Sequence, residues 1–141
     1  MDRQALERLD DTGIGAWDSH RPEDFVDLLA DDFVLRDTTL AEPITTKDGA
    51  LQYVQAWLTA FPDMRIHRTS RLIDDDAVAG EIEFTGTNAG PMAMGGAHLP
   101  PTGKTVVGRG AYFVRVRDDK IVEFRAHPDA AGIMAQLGMM P

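Results

Sequence analysis

The chain predicts an α+β fold, with helices first and an antiparallel sheet after them. Three observations carry this. Apolar residues recur at helical spacing as far as Phe61, and beyond Phe61-Pro62-Asp63 the period changes to two. The composition, 43% hydrophobic and 26% charged over 141 residues, suits one globular domain spanning 1–141 without linker or repeat.

Ala5, Leu6, Leu9, Gly13, Ala16 and Trp17 mark a first helix, weakened by Gly13 and Gly15 at about 1 kcal/mol each relative to alanine. Pro22 suits the first position of a second, short helix with Phe25, Val26, Leu28 and Leu29 as its apolar face. Asp31-Asp32 ends that helix, and residues 33–37 read as a short strand. Thr45-Thr46-Lys47-Asp48 opens a third helix, whose stripe is Ala50, Leu51, Val54, Trp57, Leu58 and Phe61. A strand over 64–74 follows, then one in which Val78, Gly80, Ile82 and Phe84 alternate with Ala79, Glu81, Glu83 and Thr85. Residues 89–103 are a loop by composition, long enough to serve as a lid. A hairpin of 105–117 and 120–127 turns at Asp118-Asp119, and a helix over 130–137 closes the chain.

The absence of cysteine excludes disulfides, thiol nucleophiles and thiolate-bound metals. A formal net charge of −9 argues against nucleic-acid partners and anionic membrane surfaces. No segment has the length of a signal peptide or a membrane span, so the expected address is the cytoplasm. His20, His67, His98 and His127 lack paired ligand spacing, so no metal is expected. Gly103-Lys104-Thr105 lacks the upstream glycine of a phosphate-binding loop, and no Gly-x-Ser-x-Gly is present.

The remaining constellation lies in the last hairpin. A two-residue turn at Asp118-Asp119 sets Tyr112 opposite Arg125, Gly110 opposite His127 and Gly108 opposite Asp129. Alternation then gives Arg125, His127 and Asp129 one shared face, and a one-residue slip would preserve that sharing. Gly108 and Gly110 leave room above it, or bend the sheet. A carboxylate in an apolar hollow can transfer protons, an imidazole can relay them, and Arg125 or Tyr112 can polarise a substrate oxygen. Asp129 also stands at an N-cap position, a role compatible with catalysis. Trp17, Tyr53 and Trp57 fit both core and pocket lining, and Met92 and Met94 suit an adaptable lid.

The ordered pieces Ala60-Phe61-Pro62-Asp63, Asp76-Ala77-Val78-Ala79, Gly86-Thr87-Asn88, Pro100-Pro101-Thr102-Gly103-Lys104, residues 115–123 and Asp129 with Gln136-Leu137-Gly138 resemble the SnoaL-like polyketide cyclases of the nuclear transport factor 2-like superfamily. That resemblance implies a cone-shaped, curved antiparallel sheet packed with the N-terminal helices, often dimerising through the sheet. It also implies an intramolecular aldol ring closure in secondary metabolism, such as antibiotic biosynthesis, with neither metal nor organic cofactor. The family's acid/base aspartate falls on Asp129, and the shared hairpin face makes His127 its expected partner. Asn88 and Arg125 stand where histidine and tryptophan are usual and are expected to meet the substrate, a small apolar organic molecule. Ketosteroid isomerase-like members imply a second assignment, Asp37 as general base and Tyr112 as hydrogen-bond donor. Asp37 also reads as a strand-ending Asx-turn residue before Thr38-Thr39. Epoxide opening and non-catalytic ligand binding are further alternatives on the same fold.

Overall fold

The apolar stripes read from the sequence converge on one curved sheet. A computed structural model describes residues 2–94 and 96–139, with Met94 described in its backbone alone. Its elements are α1 (Arg3–Asp18), α2 (Pro22–Val26), β1 (Leu29–Asp37), α3 (Lys47–Ala60), β2 (Arg65–Asp74), β3 (Ala77–Thr87), β4 (Met92–Met94), β5 (Ala97–Leu99), β6 (Thr105–Arg117), β7 (Lys120–Pro128) and α4 (Ala130–Gln136). The main sheet runs β1-β7-β6-β3-β2, with β1 parallel to β7 and every other pair antiparallel.

Local chemistry explains the helix starts. Asp2 accepts a hydrogen bond from the Ala5 amide, and Thr46 caps α3 through the Gly49 amide, so each side chain satisfies an otherwise orphaned N–H. The glycines of α1 do not break it, because Leu6, Leu9 and Ala16 bury against the sheet and tertiary packing outweighs propensity. Two sequence expectations need correction. The strand expected at 33–37 begins at Leu29, because α2 stops at Val26 and Leu29 pairs with Ile121. The loop at 89–103 contains the β4–β5 hairpin, in which Met92 faces Leu99 and Ala93 faces His98.

The β6–β7 turn is the expected two-residue one. Asp118 (φ 52°) and Asp119 (φ 64°) both lie in the left-handed region that such a turn requires. One turn of the chain later, Val116 pairs with Ile121 but Arg115 pairs with Glu123, leaving Val122 as an inserted bulge residue. A bulge reverses which face the following residues present. Phe124, Ala126 and Pro128 therefore take the inner face that alternation from Ile121 would have given to Glu123, Arg125 and His127. A second bulge, at Thr69 in β2, brings Arg68 and Arg71 to the same inner face although they are three residues apart.

Two apolar clusters fill the space between helices and sheet. One joins α1, α2, α3 and the inner faces of β1, β6 and β7 through Leu6, Phe25, Phe33, Val54 and Phe124. The other, around Phe61, Met64, Phe84 and Ile133, closes the far end. Gly80 and Gly108 are places where a side chain would collide: a Cβ on Gly80 would overlap the Tyr112 ring, and one on Gly108 would overlap Phe84. The room expected above Gly108 is thus filled by Phe84.

Candidate active site

Between the helices and the inner sheet face lies a cavity of about 110 Å³. Trp17 from α1, Phe25 from α2, Tyr53 and Trp57 from α3, and Phe84, Tyr112 and Phe124 from the sheet form its aromatic wall. Trp17 meets Tyr53 and Phe25 edge-on, at ring centroids 6.1 and 5.8 Å apart, and Tyr112 stacks on Phe124. Interlocked rings of this kind hold a fixed, apolar shape.

Two carboxylates line that wall, and each receives a tyrosine hydroxyl. Asp37, 4% exposed at the end of β1, accepts from Tyr53 Oη at 2.5 Å through Oδ2. Its Oδ1 accepts from the Thr39 amide at 2.7 Å and Thr39 Oγ1 at 2.6 Å. The Asx turn and the cavity position are therefore one arrangement: Thr39 fixes the carboxylate that Tyr53 meets from α3. Burial, and then the neighbouring Asp37 charge, push the Tyr53 hydroxyl well above its ordinary pKa, so it stays protonated. Among the described residues, no ion pair engages Asp37.

Asp10, 5% exposed on α1, accepts from Tyr112 Oη at 2.8 and 3.0 Å. Unlike Asp37 it is neutralised: Arg68 Nη1 lies 2.8 Å and Arg71 Nη1 3.3 Å from Oδ2. The same arginines also reach Asp11, at 2.8 and 3.0 Å, which ties α1 to β2. Burial and the Asp10 charge raise the Tyr112 pKa, with Arg68 partly opposing. Asp10 has a readable trace in the sequence, a carboxylate on the apolar stripe of Leu6, Leu9 and Gly13. Its partners have none, because only the Thr69 bulge aligns Arg68 with Arg71.

The structure brings Asp37, Tyr53, Tyr112, Trp17 and Trp57 to the cavity and leaves the other expected residues outside. Asp129 is exposed and caps α4, accepting from the Gly132 amide at 2.9 Å. Its neighbours are Glu81, Glu83 and Arg109, along an open crevice that shares Ile82, Arg109, Gly110 and Ala111 with the aromatic cavity, whose own lining does not include Asp129. The expected view from Asp129 into a dry hollow is therefore corrected. Tyr112 stands opposite Ala126 rather than Arg125, and Gly110 opposite Pro128 rather than His127. Arg125 and His127 flank Phe113 on the outer face, the guanidinium 4.8 Å above its ring and the imidazole edge-on at 5.7 Å. The Val122 bulge accounts for these displacements.

Asn88 is fully buried and spends its amide on backbone and Thr102. It donates to the carbonyls of Ala60 and Gly90 and accepts from the Thr102 amide and hydroxyl. That clamp fixes the base of the β4–β5 segment and leaves no polar atom for substrate. Met92 is buried in the distal cluster and lines an outer groove rather than the cavity. The expected contact from the Met94 side chain lies outside the described residues.

A bent sheet wrapped by N-terminal helices around an aromatic cavity defines the ketosteroid isomerase-like, nuclear transport factor 2-like class. Within it, the chain belongs to the SnoaL-like polyketide cyclase family, whose model matches residues 7–137. Among solved structures it is similar to IdmH of Streptomyces antibioticus, a proposed polyketide cyclase, with 27% identity, 94% of this chain and 97% of that chain covered, and a TM-score of 0.77. AclR of Streptomyces galilaeus, a proposed hydroxylase, shares 24% identity over 96% of each chain at a TM-score of 0.81. A Catenulispora acidiphila protein of ketosteroid isomerase-like fold, in complex with trimethylamine, shares 16% identity, with 94% of this chain and 93% of that chain covered, at a TM-score of 0.76. No curated protein matches the sequence.

Proposed function

We propose that this protein catalyses an aldol-type ring closure on an apolar, carbonyl-bearing small molecule, with Asp37 as the proton-transfer group and without a cofactor. One observation carries the reading: Asp37 is the cavity carboxylate that, among the described residues, has no cation against it, and Thr39 and Tyr53 hold it. A carboxylate balanced by arginines, as Asp10 is, is a poorer base.

The chemistry follows from that arrangement. Asp37 Oδ2 takes a proton from the carbon beside the substrate carbonyl, and the C–H electron pair moves into the enolate. Protonation of Oδ2 removes the acceptor for the Tyr53 hydroxyl, which becomes free to donate to the enolate oxygen. The enolate carbon then attacks a second carbonyl of the same molecule. A C–C bond forms, and the new alkoxide takes the proton held by Asp37. Tyr112 supports the cavity wall and donates its hydrogen bond to Asp10, so the isomerase-like role of donor to the substrate passes to Tyr53. Double-bond isomerisation would share the first step. The outer sheet face, with Phe113 partly exposed, is the surface for a homodimer.

Exchange of the α-hydrogens of 2-tetralone for deuterium, followed by NMR, isolates the proton-transfer step. Asp37→Asn is expected to slow the catalysed exchange about 10²–10⁴-fold while the fold persists. Exchange at the wild-type rate in that variant would refute the assignment.

A further inference from the structure

The aromatic cavity is small for a polyketide. At about 110 Å³ it falls below the roughly 300–1,000 Å³ of small-molecule sites and matches a single ring system. Next to it lies a groove of about 470 Å³ between α3, the segment 39–44 and β4. Tyr53 and Trp57 line both spaces, so the two adjoin at these side chains. Thr39, whose amide and hydroxyl hold Asp37, lines the groove. The Asp37–Tyr53 pair thus stands at the junction of the two spaces.

We infer that the groove is a second part of the substrate site, and that the substrate is a two-part molecule. This rests on the reading of Asp37 as the proton-transfer group. A ring-sized, enolisable head enters the aromatic cavity, the reacting carbon lies at the junction, and a larger apolar remainder runs outward over α3. The groove suits such a remainder because Leu40, Pro43, Ile44, Ala56 and Met92 give it an aliphatic lining. Together the two spaces reach the volume of ordinary ligand sites. Met92 thereby acquires a place beside the substrate, in the groove and not the cavity.

The test compares 2-tetralone with 6-benzyloxy-2-tetralone, which carries the same head and an apolar extension. Binding is read from the fluorescence of Trp17 and Trp57, the chain's two tryptophans, so the readout does not depend on turnover. The wild-type protein is expected to bind the extended ketone about tenfold or more tightly, as burial of an extra aromatic ring requires. Ala56→Phe, at an exposed α3 position in the groove, is expected to abolish that advantage and leave 2-tetralone binding unchanged. Ala93→Phe, on the opposite wall, provides the same block from a different element. Equal wild-type affinities for the two ketones, or an advantage that survives both substitutions, would overturn the inference. Asp37→Asn is expected to keep the binding preference while losing exchange. A groove effect without any catalysed exchange in the wild type would refute the proton-transfer reading and leave the groove standing.

Discussion

Two aspartate–tyrosine pairs face one cavity, yet their electrostatic surroundings are opposite. Asp10 is encased by two arginines and joins α1 to β2. Asp37 has hydroxyl and amide donors for its carboxylate and, among the described residues, no ion-pair partner. The chemistry of the residues is the same in both pairs. What differs is the neutralising charge, and that difference originates in backbone: the Thr39 turn beside Asp37, and the Thr69 bulge that delivers the arginines to Asp10.

The largest stability effect is expected at the clamped pair. Asp10→Ala leaves Arg68 and Arg71 short of their buried partner and Tyr112 without an acceptor, which should cost about 2–3 kcal/mol in chemical unfolding. The arginines are about one-fifth exposed and retain Asp11, which keeps the cost below that of a wholly buried charge. Asp37→Asn should change stability far less while removing activity. An equal stability loss in both variants would erase the distinction.

A second effect involves both pairs at once. Tyr53 and Tyr112 are the chain's two tyrosines, and both are raised above the usual tyrosine pKa in the folded state. A raised folded pKa means the stabilisation is intact below about pH 10, where unfolded tyrosine titrates, and is lost as pH rises beyond it. Absorbance at 295 nm should therefore show no phenolate until the protein unfolds. A tyrosine that titrates normally in the native protein would show that its pair is open to water.

Tyr53→Phe removes one hydrogen bond from Asp37 and the donor proposed for the enolate. The expected loss in 2-tetralone exchange is about tenfold, corresponding to roughly 1.4 kcal/mol, against little change for Tyr112→Phe. The smallest effect lies outside the cavity. The Arg65 guanidinium, followed by the Ile66 amide, holds Asp18 below the usual carboxylate range. A depressed folded pKa gives stability present above about pH 4 and lost as pH falls through the folded value. Asp18→Asn should accordingly lower the melting temperature slightly at pH 7 and leave it almost unchanged at the acid end, which flattens the acid side of the profile.

Most of the fold was legible because it is written in local patterns. Periodicity marked α3 and β3, the turn chemistry of Asp118-Asp119 marked the hairpin, and Thr46 marked a helix start. The candidate site was legible only where the run read from sequence keeps its own alternation or helical spacing, as residues 33–37 of β1 do beyond the irregularity between Leu29 and Val34. Asp37 lies at a strand end and Trp17, Tyr53 and Trp57 on helices, so their direction follows from spacing. Arg125, His127 and Asp129 were misplaced by a single inserted residue, Val122, which no property of valine announces. The clamp around Asp10 was hidden for the same reason, through Thr69. A bulge costs one residue in sequence and exchanges the two faces of a strand.

Side-by-side α-exchange rates of 2-tetralone for Asp37→Asn and Asp129→Asn test most directly which carboxylate does the chemistry. The cap variant should keep close to the wild-type rate, since asparagine still caps α4, while the cavity variant falls at least a hundredfold. The reverse order, with Asp129→Asn inactive and Asp37→Asn active, would contradict the account.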